Sequence, residues 1–294
     1  MSERGMGAAV GQVPEYVEMV TAWCKDFSEL PVIVKLTPNV TSIRQPARAA
    51  QRGGADAVSL INTISSVMSV DLDTFSVVPT IDRNGTHGGY CGPAVKPIAL
   101  HMVSDIARDP DCAGLPISAI GGISNWSDAA EFILLGAGNV QVCTAAMTHG
   151  FKIIDDMIDG LTRYLDARQI ESVDQAIGKA VPSLTDWQYL NLNYTAKAQI
   201  DQDLCIQCGR CHIACEDASH QAISATRNGS RHYEIIEKEC VGCNLCVTVC
   251  PVENCLTLRI LDNEVDQRTN QMIRKDDKLN WTAHPNNPMA EPGK

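Results

Sequence analysis

The sequence contains no apolar run approaching the roughly 18 residues that cross a membrane. Its start, MSERGMGAAVGQVPEY, lacks the charged, apolar and small-residue order of an export signal. Neither membrane insertion nor secretion is written into it, and a soluble cytoplasmic protein is expected. It has no Gly-x-Gly-x-x-Gly and no Walker pattern, so neither a Rossmann dinucleotide site nor a P-loop is indicated. Positive charge is scarce: 24 Lys and Arg stand against 35 Asp and Glu, a net charge of −11 that opposes a phosphate backbone and argues against nucleic acid as a partner. What the chain does have is cysteine. Thirteen in 294 residues, without an export signal, point to bound metal rather than disulfides.

Nine of the thirteen crowd between Cys205 and Cys255, while Cys24, Cys91, Cys112 and Cys143 are scattered through the first half. Residues 205–215, CIQCGRCHIAC, and 240–250, CVGCNLCVTVC, share the spacing Cys-x2-Cys-x2-Cys-x3-Cys. In two-cluster ferredoxins three thiolates at that spacing wrap one cubane, and the fourth cysteine of each run reaches the other. The expected ligands are therefore Cys205, Cys208, Cys211 and Cys250 for one [4Fe-4S] cluster, and Cys240, Cys243, Cys246 and Cys215 for the second. Cys255 is left over. Zinc needs only four ligands and does not call for two such runs. Pro251 follows the second run but Glu216 follows the first, a departure that changes local geometry without removing a ligand. QAISATRNGSRHYEII between the runs reads as a hairpin turning at Asn228-Gly229. His212 and His220 are given no ligand role, a histidine beside a cluster being the commoner case.

The first half alternates apolar strand-like runs at 31–36, 57–61, 116–120 and 140–145 with helical patterns at 42–52, 95–107, 126–136 and 151–168, after a helix that starts at Pro14. That rhythm predicts a parallel sheet, whose chemistry collects at the C-terminal strand ends. Lys35 ends the first run, either as a cation at the mouth of the sheet or as a solvated lysine leaving it. Asn62-Thr63 ends the second, offering donors and acceptors to a planar amide-rich ligand or simply making a turn. Gly121-Gly122-Ile123 ends the third, Cys143-Thr144 the fourth, and GGYCGP at 88–93 precedes a helix. Exposed backbone N–H groups in such loops bind anions. Three phosphate-friendly loops beside a cationic strand end suit a mononucleotide such as FMN.

KLTPNV, the following Asn-Thr, GGYCGPAVKPIAL, AIGGI and QVCTA, in that order and followed by the two cysteine runs, resemble the dihydropyrimidine dehydrogenase family, in particular the flavin and iron–sulfur subunit of its bacterial NAD-dependent form. The resemblance extends to about residue 260. It implies that Lys35 contacts the flavin ring, that Gly92, Gly122, Cys143 and Thr144 surround the FMN phosphate, and that Asn62 and Thr63 bind the pyrimidine. It implies NADH electrons passed from a flavoprotein partner subunit through two [4Fe-4S] clusters to FMN, within a hetero-oligomer that reduces uracil or thymine to the 5,6-dihydro forms. The family barrel has eight strands, and its proton-donating cysteine lies in a CPH loop just before the segment matching MSERGMG. The chain is therefore expected to lack that catalytic residue and to be incomplete as an enzyme by itself.

The expected fold is the C-terminal half of a TIM (β/α)8 barrel of the dihydroorotate dehydrogenase type, with two unpaired sheet edges and an inner face of Val, Ile and Leu, followed by a two-cluster ferredoxin-like α+β domain. The expected boundaries are a partial FMN-binding barrel at 1–170, a linker at 171–200, the cluster domain at 201–262 and a polar tail at 263–294. Two alternatives remain at this point: a dihydroorotate dehydrogenase-like enzyme, which shares the barrel and the FMN loops, and a non-catalytic iron–sulfur electron carrier.

Overall fold

The computed structural model describes residues 7–190, 195–228, 230–261, 265–266 and 271–272. The chain divides into two compact units between Leu184 and Thr185. In the first, a single turn α1 (Gly7–Val10) leads to α2 (Pro14–Phe27), opened by a proline that needs no amide partner at a helix start. Then follow β1 (Ile33–Lys35), α3 (Arg44–Arg52) and β2 (Ala57–Leu60). The chain next leaves the sheet as β3 (Ile64–Ser66), β4 (Ser69–Asp71), β5 (Ser76–Val78) and β6 (Gly88–Tyr90), which pair antiparallel as β3 with β6 and β4 with β5. It returns through α4 (Lys96–Ala107), β7 (Ile117–Ile120), α5 (Trp126–Leu134), β8 (Asn139–Gln141), α6 (Thr144–His149), α7 (Ile153–Asp166) and α8 (Val173–Ala176).

Strands β1, β2, β7 and β8 form one parallel sheet in that order, with β1 and β8 at its edges. Alternation along the strands separates two faces. Val58, Leu60, Ile117 and Ala119 are buried in one core with Ala47, Ala50, Val103, Ile106 and Phe132 of the helices. The opposite face carries Lys35, Ser59, Ser118 and Asn139, aligned across the sheet by register. Gln141 shares that face, and its Nε2 donates to Ser59 Oγ and Ser118 Oγ, both at 2.8 Å. The expected inner face of Val, Ile and Leu is thus corrected. The branched residues lie under the helices, and the other side is a hydrogen-bonded polar row in which Ser59 and Ser118 are themselves buried. The antiparallel excursion at 64–90 was not foreseen, since its three-residue strands carry no sustained alternation.

Helix α3 buries Pro46, Ala47, Ala49 and Ala50 and turns three arginines outward at i, i+4 and i+8. Arg44 reaches Asp105 at 2.7 Å, Arg52 reaches Glu18 at 2.7 Å, and Arg48 holds Asp109 with two bonds of 2.7 Å. Asp109 is 2% exposed, and the Arg48 guanidinium holds its carboxyl below the usual carboxylate range.

The second unit contains β9 (Thr195–Ile200), α9 (Arg210–Ala218), β10 (Ile223–Asn228), β11 (Ser230–Ile235), α10 (Leu245–Val249), β12 (Leu256–Leu261) and a short pair, β13 (Val265–Asp266) with β14 (Gln271–Met272). The strand β9 pairs antiparallel with β12 along its whole length, and β10 with β11. The segment expected to be a linker therefore ends in a strand: β9 is fixed by β12, a partner more than fifty residues away that no local pattern announces. Glu216 lets α9 run on past Cys215, whereas Pro251 forces Cys250 into extended backbone (φ −70°, ψ 125°) and ends α10 at Val249. Gly229, residues 1–6 and nearly all of the expected tail lie outside the described residues. Among the described residues no helix is long and apolar enough to cross a membrane.

Because the folded pKa of Asp109 is lowered, its contribution to stability is present above the unfolded value of about 3.9 and is lost as pH falls through the folded one. Asp109→Asn is expected to lower stability at pH 7 and to flatten the acid side of the stability profile between about pH 5 and pH 2. Urea unfolding across that range, followed by far-UV circular dichroism, measures both effects.

Candidate functional site

The C-terminal ends of the four parallel strands open into a cleft of about 620 Å³. Lys35 from the end of β1, Asn62 and Thr63 after β2, Gly92 before α4, Gly122 after β7, and Cys143 and Thr144 after β8 all line it. These are the seven residues singled out in the sequence for flavin and substrate. Lys35 is exposed, and among the described residues its ammonium has no hydrogen-bond or ion-pair partner. Thr63 N donates to Asn62 Oδ1 at 2.8 Å, which occupies that oxygen and leaves the Asn62 Nδ2 group to the cleft.

The glycines bring three loops together. Gly122 has φ +77°, and a Cβ there would stand 2.9 Å from the Gly92 carbonyl oxygen and 2.9 Å from the Lys96 backbone nitrogen. Thr144 Oγ1 donates to Cys91 Sγ at 3.5 Å, closing the third side. An ion pair fastens this cradle from below. Lys96, the first residue of α4, reaches Asp128 at 2.6 Å and Glu131 at 3.0 Å. Asp128 is nearly buried and also accepts from Ser124 N (2.8 Å) and Asn125 N (3.2 Å), completing the capping box of α5. The carboxylates raise the Lys96 pKa, so its charge is committed to structure rather than to a ligand.

Sequence reasoning missed two positioning groups. Gln141 ties Ser59 to Ser118 on the floor of the cleft, and its signal was the recurrence of polar residues at alternate strand positions. Asn39 donates to the Thr63 carbonyl at 3.1 Å and accepts from Ser65 N at 2.9 Å, clamping the segment that carries Asn62 and Thr63. Nothing local marks it. Gly89, read from sequence as part of a phosphate loop, lies instead in β6, where a Cβ would overlap the Thr63 side chain at 2.2 Å.

In the second unit Cys215 joins Cys240, Cys243 and Cys246 around one cavity, and Cys250 joins Cys205, Cys208 and Cys211 around another. Cys255 also borders the latter, 3.7 Å from the Asp201 carbonyl oxygen. Burial pushes the Cys246 thiol up to about 11, and burial beside Cys250 and Cys205 pushes Cys255 up to about 12. A hydroxyl bond from Ser219 lowers Cys243. Among the described residues no three His, Cys, Asp or Glu side chains converge closely enough for a single ion. Each cavity gathers thiols from both cysteine runs. His212 is satisfied structurally, its Nδ1 2.7 Å from the Ile223 carbonyl oxygen and its ring against Tyr233.

A parallel α/β sheet with glycine-built loops at its strand ends, followed by two thiol-lined cavities, defines a barrel-type domain fused to a dicluster domain. Residues 4–165 match the family model of dihydroorotate dehydrogenase and residues 198–258 that of the 4Fe-4S dicluster domain. The chain belongs to the dihydroorotate dehydrogenase family. It is 41% identical over 258 residues to the NAD-dependent dihydropyrimidine dehydrogenase subunit PreA of Escherichia coli (strain K12), covering 88% of this chain and 62% of that protein. It is 42% identical over 178 residues to the catalytic subunit of dihydroorotate dehydrogenase B (NAD(+)) of Pyrococcus abyssi, covering 60% of this chain and 57% of that protein. The chain thus spans about three fifths of the length of these relatives. Among solved structures, ligand-free DHODH from Eimeria tenella aligns with a TM-score of 0.48 and 22% identity, over 58% of this chain and 51% of that one.

The cradle predicts its own sensitivity. Gly122→Ala forces a left-handed backbone on a residue with a Cβ and drives that atom into the Gly92 carbonyl. A loss of about 1–3 kcal/mol is expected, measured by urea unfolding, with Gly114→Ala as a control position that has positive φ but open space.

Proposed function

We propose that the chain forms the pyrimidine-reducing part of an NAD-linked dihydropyrimidine dehydrogenase, binding FMN in the cleft of the first unit and two [4Fe-4S] clusters in the second. The observation that carries this reading is the convergence of Lys35, Asn62, Thr63, Gly92, Gly122, Cys143 and Thr144 on one cleft at the strand ends. The cleft fits the mononucleotide. At Gly122 the cradle leaves room only for backbone, and Lys35 is a free cation among the described residues. FMN, when bound, supplies hydride transfer to the C5–C6 double bond of uracil or thymine. Lys35 places positive charge beside the flavin ring, where negative charge gathers on reduction. The loops at Gly92, Gly122 and Cys143-Thr144 offer N–H groups to the phosphate. Asn62 donates through Nδ2 to a carbonyl oxygen of the base, and the Thr63 hydroxyl pairs with its neighbouring edge. None of the chain's cysteines in the first unit is assigned as proton donor: Cys112 is buried and its thiol is held up at about 11.

The clusters take electrons from an NADH-oxidising flavoprotein subunit; the name of the Escherichia coli relative, an NAD-dependent subunit, supports the NAD linkage and the multi-subunit assembly. The two rings of four thiols support two clusters, each completed by a cysteine from the opposite run.

Two experiments test this. The chain reconstituted with FMN is expected to bind uracil, read from perturbation of the flavin absorbance. Asn62→Ala and Thr63→Ala are each expected to weaken binding by about tenfold, near 1.4 kcal/mol. Lys35→Met is expected to lower flavin retention without lowering Tm. Preference for orotate over uracil would move the chain to dihydroorotate chemistry, and failure to take up flavin would reduce it to an electron carrier. Anaerobic reconstitution with iron and sulfide is expected to give about eight irons per chain. Cys215→Ala and Cys243→Ala should remove the same cluster signal and Cys250→Ala the other. If Cys215→Ala instead removes the signal lost in Cys208→Ala, the crossed ligand assignment is wrong.

A further inference from the structure

Three charged side chains are buried among the described residues: Asp109, Asp128 and Lys197. The two carboxylates have cations against them, Arg48 and Lys96. Lys197 does not follow this pattern. It is 1% exposed, and its Nζ donates to the backbone carbonyl of Cys240, with no carboxylate beside it among the described residues. A neutral carbonyl compensates a buried ammonium only in part, and such a charge persists where an anion completes its surroundings.

The residue it touches tells which anion. Cys240 opens the second cysteine run, and the next residue along β9, Ala198, donates its backbone N–H to Cys240 Sγ at 3.4 Å. Thus β9 holds Cys240 at both ends, through the carbonyl by Lys197 and through the sulfur by Ala198. Around the same cavity Ala222 N donates to Cys215 Sγ at 3.2 Å, and Ser219 Oγ stands 3.3 Å from Cys243 Sγ. A cubane held by four thiolates is an anion that gains one further negative charge on reduction. Charge, burial and hydrogen bonds to sulfur set its potential.

We propose that Lys197 is the counter-charge of the cluster held by Cys240, Cys243, Cys246 and Cys215, and that it raises the reduction potential of that cluster. In the low dielectric of the unit's core, a fixed ammonium on a ligand residue stabilises the reduced state more than the oxidised one. The effect falls on the second cavity, because the carbonyl that Lys197 binds belongs to Cys240, which lines that cavity. This inference rests on the reading of the two thiol rings as cluster sites.

The test is redox titration of the full chain, anaerobically reconstituted and followed by electron paramagnetic resonance. The signal of the second cluster is identified as the one missing in Cys243→Ala. Lys197→Gln keeps a donor for the Cys240 carbonyl but removes the charge, and Lys197→Arg keeps the charge. The expected result is that Lys197→Gln makes reduction of the second cluster at least tenfold less favourable, 59 mV for one electron, leaves the first cluster unmoved and retains about eight irons, while Lys197→Arg stays near the unsubstituted chain. Loss of the second cluster in Lys197→Gln with retention in Lys197→Arg shows the same dependence on charge. An unmoved potential in Lys197→Gln, or equal disturbance by both variants, reduces Lys197 to a packing and hydrogen-bonding residue and overturns the inference. Failure of the unsubstituted chain to hold two clusters removes the cluster reading itself, an outcome separable from an unmoved potential in a loaded chain.

Discussion

The first unit depends on the parallel register of four short strands. Parallel pairing aligns their C-terminal ends at one edge, so loops far apart in sequence emerge side by side. Lys35, Asn62, Gly122 and Thr144 are separated by up to 109 residues yet meet at one cleft. The same pairing requires helical crossovers, and these cover one face of the sheet. The opposite face holds Ser59, Ser118, Asn139 and Gln141 in a hydrogen-bonded row, in which polar groups satisfy one another as they are buried. The Lys96–Asp128 pair then turns a coincidence of loop ends into a fixed cradle, since it joins the start of one helix to the cap of the next directly beneath Gly92 and Gly122.

Much of this was legible because it is local. Apolar runs marked the four strands, Pro14 marked a helix start, and the duplicated cysteine spacing marked the second unit. The seven cleft residues were legible for a related reason: in a parallel sheet the residues that end strands are those that meet. What was not legible depends on partners distant in sequence. TAKAQI at 195–200 has no strong strand pattern and becomes β9 only against β12. Asn39 looks like a turn residue until its clamp on Thr63 and Ser65 is seen, and Lys197 looks like any surface lysine until its burial is known. The helix-covered and polar faces were confused because strand-like runs were read as wholly apolar, although Ser59 and Ser118 already interrupted them.

The buried charges show how differently the two units treat polarity. In the first, Asp109 and Asp128 are each surrounded by a cation and backbone donors, so their energetics are closed within the protein. In the second, backbone N–H groups donate to the sulfurs of Cys215 and Cys240, Ser219 stands against Cys243, and Lys197 binds the Cys240 carbonyl with no carboxylate beside it among the described residues. That arrangement is costly without an anion and favourable with one. On the proposal made for Lys197, the second unit relies on a bound anion in a way that the first does not.

The crossing of Cys215 and Cys250 into each other's rings also bears on how the second unit holds together. A duplicated sequence invites the picture of two modules in tandem, each able to stand alone. Here each copy completes the other's cavity, so the repeats are interlocked and neither half is a module. If the clusters bind as proposed, each is ligated from both copies, so parting the copies would mean dismantling both clusters as well as the β9–β12 ladder.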